Sequence, residues 1–142
     1  MLDAVGSRVR GRAEALVSAP VVVGAAIIRD GRVLAQQRAF PAEVAGLWEL
    51  PGGRVEIGET DAAAVRRECA EELGVSVAAG SPLGPDVILP GGKLLRIYRA
   101  ALDVGAEPVA REHRALRWLG SGELGDVEWL PADQLILPAL FG

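Results

Sequence analysis

Apolar positions change their spacing along the chain, and each change marks an element. Val21 to Ile28 is a continuous apolar run rich in β-branched residues, the pattern of a buried strand. Arg29-Asp30-Gly31-Arg32 carries the Asp-Gly signal of a hairpin turn, and Val33 to Gln37 returns as a second strand. A loop holding Pro41 and Gly46 leads to a short strand, Leu47 to Leu50, stopped by Pro51-Gly52-Gly53. From Thr60 to Leu73 the period lengthens: Val65, Cys69 and Leu73 recur every four residues, the stripe of an amphipathic helix. Thr60 suits its N-cap, Asp61 its first turn and Gly74 its end. Strand patterns follow near Val75–Ala79, Val87–Leu89, Lys93–Leu102 and Ala115–Leu119. Ser121 is placed to cap a short helix, and Pro131 to open a terminal helix interrupted near Pro138. Mixed strands with two or three helices predict an α/β or α+β fold in one layered domain, residues 20–142. Residues 1–19, where Arg8, Arg10 and Arg12 alternate without an apolar period, are expected to form a loosely ordered extension.

Composition narrows the function more than the fold. The 142 residues carry a net charge of −4, and no basic stretch suggests a face that tracks a nucleic-acid polymer. Small anionic substrates stay possible, because a metal ion can supply the positive charge that the chain lacks. One cysteine, Cys69, and one histidine, His113, provide neither a disulfide nor a nitrogen-and-sulfur zinc site. The longest apolar run, Pro20 to Ile28, is far short of the roughly 20 residues that span a bilayer. A cytoplasmic protein with no membrane or obligate protein partner is the expectation.

The chemistry concentrates between Gly53 and Val75. Gly53 is followed after five residues by Glu59, and after seven more by Arg67-Glu68-Cys69-Ala70-Glu71-Glu72-Leu73-Gly74-Val75. On a helix Glu68 and Glu72 are stacked neighbours beside the apolar stripe, with Glu71 one step round. Like charges at that spacing repel unless something neutralises them. The cluster is therefore either a solvated acidic face or a set of hard oxygen ligands for Mg²⁺ or Mn²⁺. Its position at the edge of the core, after a Pro-Gly-Gly loop whose backbone can approach other groups closely, favours ligands.

This segment resembles the Nudix box of the MutT-type pyrophosphohydrolases at each fixed position: Gly53, Glu59, Arg67, Glu68, Glu71, Glu72 and Gly74, with Cys69 and Val75 in hydrophobic slots. The resemblance extends from about Val21 to Leu140 and implies a Nudix α/β/α sandwich with a mixed central sheet. It implies Glu68 and Glu72 as principal ligands of Mg²⁺, with Mn²⁺ able to substitute, assisted by Glu71 and a carbonyl of Gly52 or Gly53. Arg67 resembles the arginine that orients these glutamates. Glu59 resembles a supporting residue, or is an acid at the helix entry. The implied reaction is attack of water on a diphosphate phosphorus, giving a monophosphate and pyrophosphate from a triphosphate. The general base is Glu71 or Glu72, or else Glu112, which precedes a late strand as a loop glutamate does in MutT-like members; a plain surface charge is the alternative for Glu112. His113 shows no partner in the sequence.

Outside the box, Gln37-Arg38, Trp48 to Gly53 and Leu130-Pro131-Ala132-Asp133 resemble the MutT and CTP-pyrophosphohydrolase branch. That implies a nucleotide pocket lined by Arg38, Glu49, Leu50, Pro51, Gly52 and Asp133. Arg38 and Asp133 are otherwise a strand-end charge and a helix N-terminal acid. Trp48 either stacks a base or packs in the core. MutT itself has asparagine where Asp133 stands. An ionised aspartate only accepts, which suits the amine of cytosine and the N7 proton of an oxidised guanine. The expected substrate is 8-oxo-dGTP or a cytidine-type triphosphate, in nucleotide-pool sanitation. The alternatives are a dinucleoside polyphosphate or nucleotide sugar, and a non-catalytic nucleotide-binding regulatory domain.

Overall fold

The structure, a computed structural model, describes residues 20–141; the predicted extension at residues 1–19 lies outside them. Its strands are β1 (Val21–Arg29), β2 (Arg32–Gln37), β3 (Trp48–Glu49), β4 (Gly52–Arg54), β5 (Val77–Pro82), β6 (Val87–Ile88), β7 (Leu94–Leu102) and β8 (Ala115–Gly120). Helix α1 spans Asp61–Leu73, and α2 is a single turn, Pro131–Gln134. Short 3₁₀ turns cover Ser121–Asp126 and Leu137–Ala139.

β1 is the axis of the sheet. It runs parallel to β7 from Val21↔Leu94 to Ile27↔Ala100. On its other side it pairs with two different strands in turn. Its C-terminal end joins β2 through Ile28↔Val33, across a turn in which Asp30 and Gly31 both take positive φ, as the Asp-Gly signal predicts. Its N-terminal half instead pairs with β4, with Val23 opposite Gly53 and Gly24 opposite Gly52. Strand β2 therefore splays away from β1, and the Gly-Gly strand fills the opening. β2 continues outward to β3 and β8, while β7 carries β5 and β6.

Both faces of this sheet are covered, which is why β1 reads as a continuous apolar run. Val23, Ala25, Ile27 and Leu34 face α1, meeting Val65, Cys69 and Leu73. Burying Val65 and Leu73 stabilises the docked helix by about 1.5–3 kcal/mol each. Ala26, Val33 and Ala35 face the other way, against Trp48, Leu50, Trp129, Ile136 and Leu140. The sandwich and its mixed sheet match the expected fold, although the second helical layer is slight. Pro138 has no N–H to continue a helix, so the terminal segment collapses into one turn and a 3₁₀ turn.

Helix α1 has its expected caps. Thr60 Oγ1 accepts from Ala63 N at 3.1 Å, and Gly74, at φ 67°, donates its N–H to Ala70 O. The cap expected at Ser121 falls one residue earlier, on Gly120, whose N–H donates to Glu123 Oε1 at 2.7 Å. Strand β4 is not among the predicted elements: glycines usually weaken a strand, and here they are needed for close approach. Trp48 belongs to the core, 8% exposed and bridged to Trp129, so base stacking is the alternative set aside. Its N–H and carbonyl bond Glu128 O and Leu130 N, which brings the α2 turn beside Leu50.

Candidate active site

The helix and the Gly-Gly strand build the first half of the site. A Cβ at Gly52 would clash with the Val23 carbonyl, and one at Gly53 would meet the Glu68 carboxylate. Glycine at both positions thus lets β4 lie directly under the acidic edge of α1. Glu72, 8% exposed, turns inward, and its Oε1 accepts from Gln36 Nε2 at 2.8 Å and from Gly52 N at 3.1 Å. Glu68 stands one helical turn before Glu72, close enough for its charge to act on that carboxyl. Burial pushes both carboxyl groups above the usual carboxylate range; at Glu72 the donors from Gln36 and Gly52 oppose that rise.

Arg67 braces the cluster from outside. Its guanidinium donates to Glu59 at 2.7 and 3.0 Å, to Glu68 Oε2 at 3.0 Å, to Glu71 Oε1 at 3.3 Å and to the Arg54 carbonyl at 2.8 Å. These bonds hold Glu59 at a pKa of about 2. Arg67 thereby ties the loop before α1, the helix and the end of β4 together.

The second half is a pocket on the far side of Gly52 and Gly53. Val22, Gly24, Arg38, Glu49, Leu50 and Asp133 are among its walls. Asp133, 7% exposed, accepts from Leu50 N at 2.9 Å through Oδ2. Burial raises its pKa to about 7, with the Leu50 N–H opposing and the Glu49 charge adding to the rise. An acid raised this far holds its proton much closer to neutrality than an exposed aspartate does, so a donating form stands beside the accepting one expected from the sequence. Glu49 accepts from Arg38 Nη1 at 3.2 and 3.3 Å and lies 2.8 Å from His113 Nε2. A neighbouring cleft is lined by Arg38, Phe40, Glu72, Glu112 and His113.

The expected site residues therefore converge, with exceptions. Glu68, Glu72, Gly52 and Gly53 meet, and Arg67 braces them. Glu71 stands apart, 54% exposed and paired with Arg67. Glu112 is exposed on the rim of the second cleft. Arg38, Glu49, Leu50, Gly52 and Asp133 line the pocket, but Pro51 does not: it is buried behind them, its carbonyl taken by Ala25 N at 2.7 Å. One pairing and one participant carry no mark in the sequence. The partner of His113 is Glu49, 64 residues away. Gln36 is hidden because both faces of β2 are covered, so a polar residue there breaks no alternation.

Among the described residues no three His, Cys, Asp or Glu side chains stand close enough to enclose an ion. One buried and one half-buried carboxylate sharing an edge with a glycine backbone do fit a hard cation that takes its remaining ligands from water and phosphate, the habit of Mg²⁺. Such an ion would neutralise the charge whose burial raises both pKa values.

This frame of a splayed mixed sheet, one acidic helix and a Gly-Gly strand is that of a known family. The NUDIX domain model matches residues 19–141, and the chain belongs to the Nudix hydrolases. It is 53% identical over 117 residues to a Mycobacterium tuberculosis protein named "Putative 8-oxo-dGTP diphosphatase 2", covering 80% of this chain and 82% of that one. It is 35% identical over 119 residues to the CTP pyrophosphohydrolase of Escherichia coli, covering 83% and 88%. Among solved structures, the E. coli ORF135 protein superposes with a TM-score of 0.72 at 34% identity, over 85% of this chain and 87% of that one. A MutT Nudix hydrolase from Burkholderia pseudomallei gives a TM-score of 0.67 at 33% identity, over 86% and 98%. The Nudix resemblance read from the box is thereby confirmed, as are the hydrolase class and the α+β fold.

Proposed function

We propose that this chain is a Mg²⁺-dependent nucleoside triphosphate pyrophosphohydrolase acting on 8-oxo-dGTP and cytidine-type triphosphates, with Mn²⁺ able to replace Mg²⁺. The observation that carries the reading is the pairing of buried Glu72 with half-buried Glu68 against Gly52 and Gly53, beside a pocket whose wall bears Asp133. The names of the two relatives reported above support the substrate class.

A divalent cation, when bound, would supply Lewis acidity toward phosphate oxygens and lower the pKa of water. Glu68, Glu72 and a Gly52 or Gly53 carbonyl would hold it, and Arg67 keeps Glu68 in place. Arg38, on the walls of both clefts, offers a cation to the phosphate chain. Glu72 has Oε1 committed to two donors and Glu71 is turned toward Arg67, so we assign acceptance of the water proton to Glu112. Asp133 reads the base with the oxygen that Leu50 does not occupy: ionised it accepts from the cytosine amine, protonated it donates to a purine carbonyl.

A turnover panel of 8-oxo-dGTP, dGTP, CTP, dCTP, a dinucleoside polyphosphate and a nucleotide sugar, each with Mg²⁺, tests the assignment. The oxidised guanine nucleotide and the cytidine nucleotides should show the highest kcat/KM. Preference for the dinucleoside or the sugar replaces this substrate by another of the family, and no turnover of any contradicts catalysis.

A further inference from the structure

Gln36 is 0% exposed in a strand otherwise suited to apolar residues, and its side chain lies between the two halves of the site. It faces α1, as Leu34 does two residues earlier, and it stands directly opposite Glu49 across the β2–β3 ladder. Its Nε2 donates to Glu72 Oε1 at 2.8 Å and lies 3.5 Å from Glu49 Oε2, the limit of a hydrogen bond. Its own carbonyl oxygen, Oε1, is buried without a partner. An amide in a core normally satisfies both ends or is replaced by an apolar residue. Here the end that is satisfied is the one presented to two carboxylates, and turning the amide over would set an oxygen against both negative groups. The orphaned oxygen is the cost of that orientation.

Glu49 is itself held firmly, by Arg38 and by His113. It also lines the pocket, whereas Glu72 belongs to the acidic pair on α1. We propose that Gln36 is a positioning residue whose amide group fixes Glu72, leaving its second oxygen free for the cation, and couples that carboxylate to Glu49 in the substrate pocket. The proposal rests on the cation-site reading of Glu68 and Glu72. Nothing in the box motif contains it, since Gln36 lies well before Gly53.

The test uses Mn²⁺ alone as the probe, with free ion followed by electron paramagnetic resonance. Q36M keeps the length of the side chain and removes the donor; Q36A serves if Q36M fails to fold by circular dichroism. Loss of a group that orients a metal ligand typically weakens metal binding by roughly 10–100-fold, and that loss is expected here. E49Q should weaken Mn²⁺ binding severalfold when Gln36 is present and much less in the Q36M background, because the pair is linked through the amide. A wild-type Mn²⁺ affinity in folded Q36M overturns the positioning role. An E49Q effect of equal size in both backgrounds overturns the coupling. Mn²⁺ binding that E72Q leaves untouched overturns the cation-site reading itself, and the proposal with it.

Discussion

Replacing Asp133 by asparagine separates its burial from its base-reading role. Asp133 is 7% exposed and its carboxyl is raised from 3.8 to about 7, chiefly by burial. An acid whose folded pKa is raised keeps a proton in the folded state that the unfolded chain has released. Its contribution therefore destabilises progressively as pH climbs from about 4 to about 7, and fully above that. Over the whole window the raised value corresponds to roughly 4 kcal/mol, and the part falling above pH 5 to roughly 2–3 kcal/mol. An asparagine side chain cannot ionise, yet its carbonyl can still accept from Leu50 N. The stabilisation of Asp133→Asn relative to wild type should thus be larger at pH 8.5 than at pH 5 by that 2–3 kcal/mol. With about 4 °C of Tm per kcal/mol in a domain of this size, the gap between the two melting curves should widen by about 10 °C. Glu72 shifts the same way, so the variant keeps some pH dependence of its own; the difference between the curves isolates Asp133. Equal Tm differences at both pH values would refute the burial argument. In turnover, the kcat/KM ratio of 8-oxo-dGTP to CTP should rise roughly tenfold in the variant, one matched polar contact being worth about 1–3 kcal/mol. An unchanged ratio moves the base pocket elsewhere.

Two other substitutions probe the acidic edge. Glu72→Gln should lose nearly all turnover while melting at or above the wild-type temperature at pH 8, because it removes a buried charge; Glu68→Gln should lose turnover similarly. Wild-type rates in either variant exclude it as an essential ligand. Gly53→Ala drives a methyl group into the Glu68 carboxylate, so turnover should fall by an order of magnitude or more with the circular dichroism of α1 unchanged. Full activity there means that Glu68 works from another position.

Local signals carried much of the fold because the elements announce themselves. The four-residue spacing of Val65, Cys69 and Leu73, the Thr60 and Gly74 caps and the Asp30-Gly31 turn all appear where their chemistry requires. The acidic edge was legible for the same reason, since helical spacing alone sets Glu68 and Glu72 together. What stayed hidden depends on pairing across long separations. The Gly-Gly strand exists because β2 splays from β1, and no local pattern encodes that divergence. Glu49 meets His113, and Leu50 meets Asp133, across 64 and 83 residues. The raised pKa of Asp133 follows from its burial beside Leu50, which its place after Pro131 does not disclose.

Where water attacks, and what the attack requires, can be read together from the products. The most direct measurement is the product composition from 8-oxo-dGTP and from CTP, followed by ³¹P nuclear magnetic resonance with Mg²⁺ present and after its removal by EDTA. A cation held by Glu68 and Glu72 predicts the nucleoside monophosphate and pyrophosphate in equal amounts, formed with Mg²⁺ and abolished by EDTA or by Glu72→Gln. Free phosphate with a nucleoside diphosphate, or turnover that survives EDTA, would contradict it.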